Sequence, residues 1–405
     1  LRFPVDSFIV INKIILNAVA RQQEGPRERA EGEAMQKSVF DYMGRYGHEQ
    51  VILCQNREVG LRAVIAIHDT TLGPALGGTR MWPYQTEEDA ILDALRLSRG
   101  MTYKAAAAGL NMGGGKAVII ADPNKDKSEA LFRAFGRFVE SLHGRFITGE
   151  DVGIDVNDVE YMYMETRYVV GLSRSHGGGG DPAPVTALGI LHGIRACVEE
   201  AFDSKSLGGL TVAIQGLGHV GFSLARLLLD QNVRVVATDV DADRVRRAQS
   251  ELQLELVEPD EIYEVDAEIF APCALGAVIN DKTIPLFRFK IIAGSANNQL
   301  QQKIHGEELN RRGILYAPDF VINAGGMINV FVEAEGYDRE RAMRMTRSIY
   351  YNLRRVFEIS RNEQISTAEA ADRLAQDRIR MVRQLKDMHT GRRPHHLRLD
   401  RTQGI

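Results

Sequence analysis

The sequence predicts a two-domain α/β protein with a doubly wound parallel sheet in its second half, and three observations carry that prediction. With 405 residues the chain exceeds what one hydrophobic core usually supports. Short β-rich runs alternate with helix-length amphipathic stretches through most of it. The alternation stops between Ser173 and Pro184, where Gly177-Gly178-Gly179-Gly180 is followed by Pro182 and Pro184, a composition that suits an interdomain hinge and not regular structure. The expected division is a first domain over 35–172, a second over 173–330, a helical segment over 331–386 that packs back on the first domain, and a basic tail over 387–405.

Taken in order, residues 1–34 read as an extension preceding a start at Met35, since Asn12 and Lys13 interrupt the apolar run from Phe8 to Ala20 and spoil it as a secretory leader. Val51-Ile52-Leu53, Ala63 to Ile67 and Ala117 to Ile120 read as strands. Thr86-Glu87-Glu88-Asp89 opens a helix over about 87–101, with Ile91, Leu95 and Ser98 on one face. Ser128 precedes a second, whose Leu131, Phe135, Phe138 and Leu142 repeat at helical spacing up to Gly144. Beyond the hinge a helix over about 185–203 leads to strands at Leu210 to Gln215, Arg234 to Thr238, Ile269 to Ala271, Ile291 to Ala293 and Ile314 to Tyr316, separated by helix-length intervals. Helices are expected over Asp338 to Arg361 and Ser366 to Lys386.

Composition removes several classes of function. With 44% hydrophobic and 26% charged residues the chain is neither disordered nor fibrous. A formal charge of −4 gives no field for gripping nucleic acid or an anionic membrane, and the basic tail reads as a solvated end. Cys54, Cys197 and Cys273 lie far apart without metal-ligand spacing, as reduced thiols of a cytoplasmic protein do. No apolar run approaches the length, about eighteen residues, that spans a bilayer.

Gly216-Leu217-Gly218-His219-Val220-Gly221 follows a strand and opens a helix at Phe222, and Asp239 ends the next strand. Strand, glycines, helix, strand and terminal acid in that order are the signature of a Rossmann dinucleotide site. Gly216 permits the turn, Gly218 lets the pyrophosphate reach backbone amides at the helix N-terminus, and Gly221 allows close packing. Asp239 would accept both ribose hydroxyls and repel a 2′-phosphate, which favours NAD over NADP, with Arg244, Arg246 and Arg247 close enough in sequence to reverse that preference if one folded over the ribose.

In the first domain, Lys104 follows Gly100-Met101-Thr102-Tyr103, and Lys116 follows Gly113-Gly114-Gly115. The glycines are expected to clear side-chain walls from in front of Lys116. Two ammonium groups sharing a cleft would repel, leaving one as a base near neutral pH and the other as a cation for a carboxylate. Glu150-Asp151 adds carboxylates for proton transfer, a helix start being the plainer reading. His176 and His219 have no metal-ligand spacing, and no metal is expected.

Leu76-Gly77-Gly78-Thr79-Arg80-Met81, Met101-Thr102-Tyr103-Lys104, Leu110-Asn111-Met112-Gly113-Gly114-Gly115-Lys116, Gly149-Glu150-Asp151-Val152-Gly153 and the glycine loop resemble, in order, the motifs of the glutamate/leucine/phenylalanine/valine dehydrogenase family, most nearly its leucine branch. The resemblance implies reversible oxidative deamination of an L-amino acid to a 2-oxo acid and ammonia, with NAD as oxidant, in a homo-oligomer, up to an octamer, paired through the first domain. By motif, Lys104 would hold the substrate carboxylate, Lys116 would activate water, and Asp151 would shuttle a proton at the amino nitrogen. Gly77, Gly78 and Met101 would touch the substrate, and Thr186, Asn298 and Asn323 the nicotinamide half. The matching side-chain pocket is Leu76, Gly149, Met327 and Val330, apolar throughout, which disfavours glutamate and leaves leucine, isoleucine, valine and phenylalanine. A phenylalanine-selective relative and a catalytically silent NAD-binding regulator are the competing readings.

Overall fold

The computed structural model describes residues 38–385, so the expected leading extension and basic tail lie outside it. After a helix capped by Ser38 (α1, Val39–Tyr46) come β1 (Gln50–Asn56), β2 (Leu61–Asp69), β3 (Ala75–Leu76), β4 (Thr79–Trp82), α2 (Glu87–Ala107), β5 (Gly113–Ile120), α3 (Glu129–Glu140), β6 (Phe146–Ile147) and α4 (Val156–Tyr163). These strands form a mixed sheet of order β1-β2-β5-β3-β6, with β4 also on β5. Period-two alternation gives β5 two working faces. Ala117 and Ile119 join the core of Phe132, Phe135 and Phe146, while Val118 packs with Ala90, Ala94 and Leu95 of α2. Thr86 caps α2 by accepting from the Asp89 amide, and the helix runs through Gly100 to Ala107, one and a half turns beyond the expected end, which carries Lys104 into its last turn.

The second half holds α5 (Ala183–Phe202), β7 (Thr211–Gln215), α6 (His219–Leu229), β8 (Arg234–Thr238), α7 (Ala242–Leu252), β9 (Glu255–Leu256), β10 (Ile269–Pro272), β11 (Ile291–Ile292), α8 (Lys303–Arg311) and β12 (Leu315–Tyr316). All six strands are parallel in the order β12-β11-β10-β7-β8-β9, so the strand order reverses at β7, where such sheets bind their ligands. One expectation fails: no α-helix joins β10 to β11. Pro285 sits in a single 3-10 turn there, and Phe270, Phe287 and Phe289 pack ring on ring in the core at that face, Phe270 and Phe289 stacked at 5.0 Å.

Four helices follow β12 before the last: α9 (Asp319–Ile322), α10 (Gly325–Ala334), α11 (Arg339–Met345) and α12 (Ser348–Glu363). The single helix expected over 338–361 is broken because Thr346 and Ser348 donate their hydroxyls to the Met343 and Met345 carbonyls, competing with the helical ladder. The final helix, α13 (Thr367–Leu385), returns to the first domain. Its Arg378 closes the end of α2, donating to the Leu110 carbonyl at 2.6 Å, the Gly109 carbonyl at 3.1 Å and Asn111 Oδ1 at 2.8 Å.

The glycine-rich connection is not a slack hinge. It contains a 3-10 turn (Arg174–His176), and Glu333 of α10 gathers both its limbs: one carboxylate oxygen accepts from the Gly171 and Leu172 amides at 3.0 and 3.1 Å, the other from the Gly179 amide at 3.0 Å. No helix among the described residues is long and apolar enough to cross a membrane.

Candidate active site

The site begins as an interruption in a ladder. β3 and β4 pair with β5 along one edge, Leu76 opposite Gly114 and Thr79 opposite Ala117, so Gly77 and Gly78 fall opposite Gly115 and Lys116. A side chain at Gly77 would collide with the Gly115 carbonyl at 1.7 Å, and one at Gly78 with the Glu150 carbonyl at 2.2 Å. Only glycines let the three segments approach this closely.

The glycines before Lys116 do something other than expected. They belong to β5 itself, and they admit structure instead of substrate: a Cβ on Gly114 would lie 2.1 Å from the Thr102 nitrogen of α2, and one on Gly115 2.6 Å from the Phe146 ring. Their absent side chains bring α2, and Lys104 with it, down onto the strand that bears Lys116.

Lys116 is buried, and its Nζ lies 3.0 Å from Asp151 Oδ2. Arg80 reaches the same oxygen through Nε at 2.9 Å, while its Nη1 donates to Asp93 Oδ2 at 2.9 Å, an oxygen that also accepts from Tyr84 Oη at 2.7 Å. Burial pushes the Lys116 ammonium below the ordinary lysine range, Asp151 opposing and Arg80 adding to the shift. Burial would raise Asp151, but Lys116 and Arg80 outweigh it and hold the carboxyl at about 2. The two shifts describe one coupled pair in which Asp151 is ionised first and Lys116 then sheds its proton more readily than an exposed lysine.

Lys104 departs from the expected fixed cation. Burial brings it down to about 8, with Asp319 opposing and Lys116 contributing. Asp319, buried in α9 of the second domain, is itself raised chiefly by burial, its carboxylate accepting from the Gln299 and Phe320 amides. Arg80 is a second cation beside Lys116, one the sequence did not single out, and it adds to the mutual repulsion of Lys104 and Lys116.

Beside these groups opens a cavity of about 250 Å³ whose lining includes Leu76, Gly77, Gly78, Met101, Lys104, Gly149, Met327 and Val330. The structure thus brings together every residue expected at the substrate, from both domains, and adds Val170, Asn329 and, at the rim, Glu150. Lys116 and Asp151 are not in that lining but adjoin its glycines, a Cβ on Gly78 falling 3.1 Å from that of Asp151 and one on Gly77 3.2 Å from the Lys116 backbone nitrogen. Glu150 is raised by burial and by the carboxylates Asp155, Glu333, Asp181 and Asp158 around it.

At the β7 switch point Gly216 adopts φ +102°, and a Cβ there would meet Ala274 at 2.7 Å. Gly218 caps α6, which starts at His219 and not at Phe222, and faces open space apart from Arg244 Nη1 at 3.9 Å. Gly221 packs so tightly on the Gly216 carbonyl that a Cβ would lie 1.9 Å from it. Leu217, Val220 and His219 complete the loop, His219 Nδ1 lying 3.3 Å from Asp181 in the interdomain connection. Asp239 is engaged within the protein: its Oδ2 accepts from the Leu217 amide at 2.7 Å and its Oδ1 from the Asp241 amide at 2.8 Å, so it fastens the loop. Of the three arginines, Arg244 approaches Asp239, at 3.6 Å, whereas Arg246 pairs with Asp243 and Arg247 with Glu251.

On the far side of β7, Asn323 donates to the Ser295 carbonyl at 3.1 Å and to Asn297 Oδ1 at 2.7 Å, while its own Oδ1 is buried without a partner. Thr186 donates to the Pro182 carbonyl at 3.0 Å and lies against Gly325 and Gly326. Asn298 is exposed in a left-handed turn, φ +51°. An open helix N-terminus, glycines where a Cβ cannot fit and an orphaned amide oxygen suit a dinucleotide laid across the strand ends. No cluster of His, Cys, Asp or Glu among the described residues could hold a metal ion.

Sequence reasoning assigned nothing to Arg80, Tyr84, Asp93, Asp319 or Glu333. Arg80 stood inside a quoted motif, and its position two residues after the glycine pair was the available signal. The others meet the site only through tertiary contacts.

Comparison with known proteins gives this geometry a family. A profile described as Glu/Leu/Phe/Val dehydrogenase, dimerisation domain, matches residues 48–168, and one described as Glutamate/Leucine/Phenylalanine/Valine dehydrogenase matches residues 237–385. The chain is 55% identical to a leucine dehydrogenase of Thermoactinomyces intermedius over 348 residues, 86% of this chain and 95% of that one. It is 52% identical to an L-tryptophan dehydrogenase of Nostoc punctiforme over 342 residues, 84% and 96% of the two chains. The crystal structure of L-tryptophan dehydrogenase from Nostoc punctiforme superposes with a TM-score of 0.77 at 50% identity, covering 85% of this chain and 99% of that one.

Proposed function

The chain belongs to the Glu/Leu/Phe/Val dehydrogenase family and is an amino acid dehydrogenase; within that family we propose that it oxidatively deaminates leucine and the other branched-chain amino acids, with NAD as oxidant. The carrying observation is the apolar part of this cavity, Leu76, Met101, Val170, Met327 and Val330, with Lys104 as the cation in its lining. A substrate carboxylate pairs with Lys104, and the side chain fills the apolar part. Glutamate would bring a second carboxylate to a pocket with no second cation and with Glu150 at its rim. An aromatic reading has its own support in the relative named L-tryptophan dehydrogenase, and in Gly149, where a Cβ would press on the Val170 carbonyl at 2.9 Å.

When bound, NAD supplies the hydride acceptor. Gly216 to Gly221 and Asp239 hold its adenosine and pyrophosphate end, and Thr186, Asn298 and Asn323 its nicotinamide half. Asp151 takes and returns the proton at the substrate nitrogen, Lys116 as the free amine draws a proton from the water that attacks the imine, and Lys104 keeps the carboxylate anchored. The protein works in the cytoplasm as a homo-oligomer.

The test is the initial rate of NADH formation with L-leucine, L-isoleucine, L-valine, L-phenylalanine, L-tryptophan and L-glutamate, for wild type and Lys116→Ala. Branched substrates leading and an inert Lys116→Ala support the proposal. An aromatic substrate leading transfers it to the second reading.

A further inference from the structure

The Lys116–Asp151 pair is held by a group outside the proposed chemistry. Arg80 sits on β4, two residues beyond the Gly77-Gly78 notch, with Val118 of β5 as its ladder partner. Its Nε and the Lys116 Nζ converge on a single oxygen, Asp151 Oδ2, at 2.9 and 3.0 Å. Its Nη1 is fixed by Asp93 Oδ2 at 2.9 Å, and Asp93 is fixed in turn by Tyr84 Oη at 2.7 Å and by Arg96 Nη2 at 3.1 Å. Asp93 and Arg96 stand on α2, the helix that bears Lys104, so one line of charge-assisted contacts runs from that helix through Arg80 to Asp151.

The geometry points to Arg80 as a positioning residue for proton transfer: by clamping Oδ2 of Asp151 beside Lys116 it fixes the carboxylate plane and leaves Oδ1 as the oxygen that serves the substrate nitrogen. This rests on the reading above that Asp151 handles that proton. The planar fork of arginine suits the task, since it can grip two carboxylates on different elements at once, which a lysine does less well. Lys116 feels the arrangement directly. The charged and titratable groups around the pair are Arg80 on β4, Tyr84 after it, Asp93, Arg96 and Lys104 on α2, and Asp151 and Lys116 themselves. Among these Arg80 lowers the Lys116 ammonium and Asp93 raises it.

Those opposite signs make the test specific. In Arg80→Gln, kcat for L-leucine should fall about tenfold to a hundredfold, the loss expected when a catalytic group is misplaced by a fraction of an ångström to an ångström. The acid-side limb of the kcat profile, where Lys116 must lose its proton, should move to higher pH by about one unit because a neighbouring cation is gone. NADH affinity, read by fluorescence, should be unchanged. Arg80→Lys should restore the position of the limb and part of kcat. Asp93→Asn loosens Arg80 without removing its charge, so it should lower kcat more mildly and move the limb toward lower pH. Unchanged kcat and limb in Arg80→Gln overturn the proposal. So does a loss matched by a fall in melting temperature, unrelieved by lysine and without movement of the limb. Should Arg80→Gln not fold, an Asp93→Asn limb that stays in place or moves to higher pH, or an Arg80→Lys limb displaced from that of wild type, overturns it as well. Asp151→Asn separates the layers: wild-type kcat there brings down the acid–base reading beneath, whereas an inert Asp151→Asn beside an unaffected Arg80→Gln brings down the role of Arg80 alone.

Discussion

The two ends of the cleft are built by opposite means. At the first-domain end, polar and charged groups are committed to one another: Lys116 and Arg80 to Asp151, and Arg80, Tyr84 and Arg96 to Asp93. At the glycine loop the work is done by atoms that are missing, with backbone amides and open space in front of Gly218. A proton-transfer site must hold reacting groups in register before substrate arrives, so it is assembled from mutually restrained charges. A site for a large anionic ligand needs room and dipoles. The contrast teaches that glycine carries two meanings in this chain. In β5, and at Gly216 and Gly221 of the loop, it lets protein approach protein, and at Gly218 it leaves the helix N-terminus open.

The largest expected effect lies at the charged end. Asp151→Asn should lower kcat by about 10²–10⁴-fold, the range for loss of a positioned acid–base group, with NADH affinity intact by fluorescence titration. Retained kcat would break the contrast, because the charges would then be scaffolding.

A pair of alanine substitutions sharpens the two meanings of glycine. Gly114→Ala drives a methyl group into the backbone of α2 and should cost about 1–3 kcal/mol of stability in denaturant unfolding, with KM for the amino acid rising as Lys104 is displaced. Gly218→Ala meets no protein atom closer than 3.9 Å and should leave stability within about 0.5 kcal/mol while weakening NADH binding. Equal stability losses in both would erase the distinction.

The charged end also has a pH signature that the loop lacks. Lys104 loses its proton as pH rises through about 8, so the carboxylate anchor of the free enzyme should fade above that pH and kcat/KM for the amino acid should decline. At saturation the bound carboxylate keeps the proton on Lys104, so kcat should hold to higher pH. A flat kcat/KM through this window would mean that Lys104 does not bind the carboxylate.

The smallest effect concerns pocket shape. Gly149→Ala presses on Val170 and should shift the kcat/KM ratio of phenylalanine to valine downward by about tenfold, within the 1–3 kcal/mol that one carbon discriminates in an apolar pocket. An unchanged ratio would place side-chain selection elsewhere.

What the sequence made legible was whatever is local. The glycine loop, its following helix and Asp239 lie within one βαβ unit, and Lys104 and Lys116 within thirteen residues of each other, so spacing alone brought them forward. The strands long enough to show periodicity were equally visible. The two-residue strands Ala75–Leu76 and Phe146–Ile147 were not, whereas the equally short Ile291–Ile292 and Leu315–Tyr316 were, because those recur at the helix-length intervals of the parallel sheet. Nor was Arg80, whose partner Asp151 is 71 residues away, or Glu333, whose amide partners lie 154 to 162 residues back. Such pairings exist only once the fold has formed. The glycine run before Lys116 was visible and misread, since sequence shows that a side chain is absent without showing what occupies the space.

The helix bearing Lys104 is closed by an arginine encoded 268 residues after the carbonyl it reaches. Synthesis at about 5–20 residues per second puts tens of seconds between the two on the ribosome. For that interval the amino-terminal domain exists with the end of its central helix unsealed. It becomes complete only once that later helix has emerged, so a segment made long afterwards finishes a domain made before it.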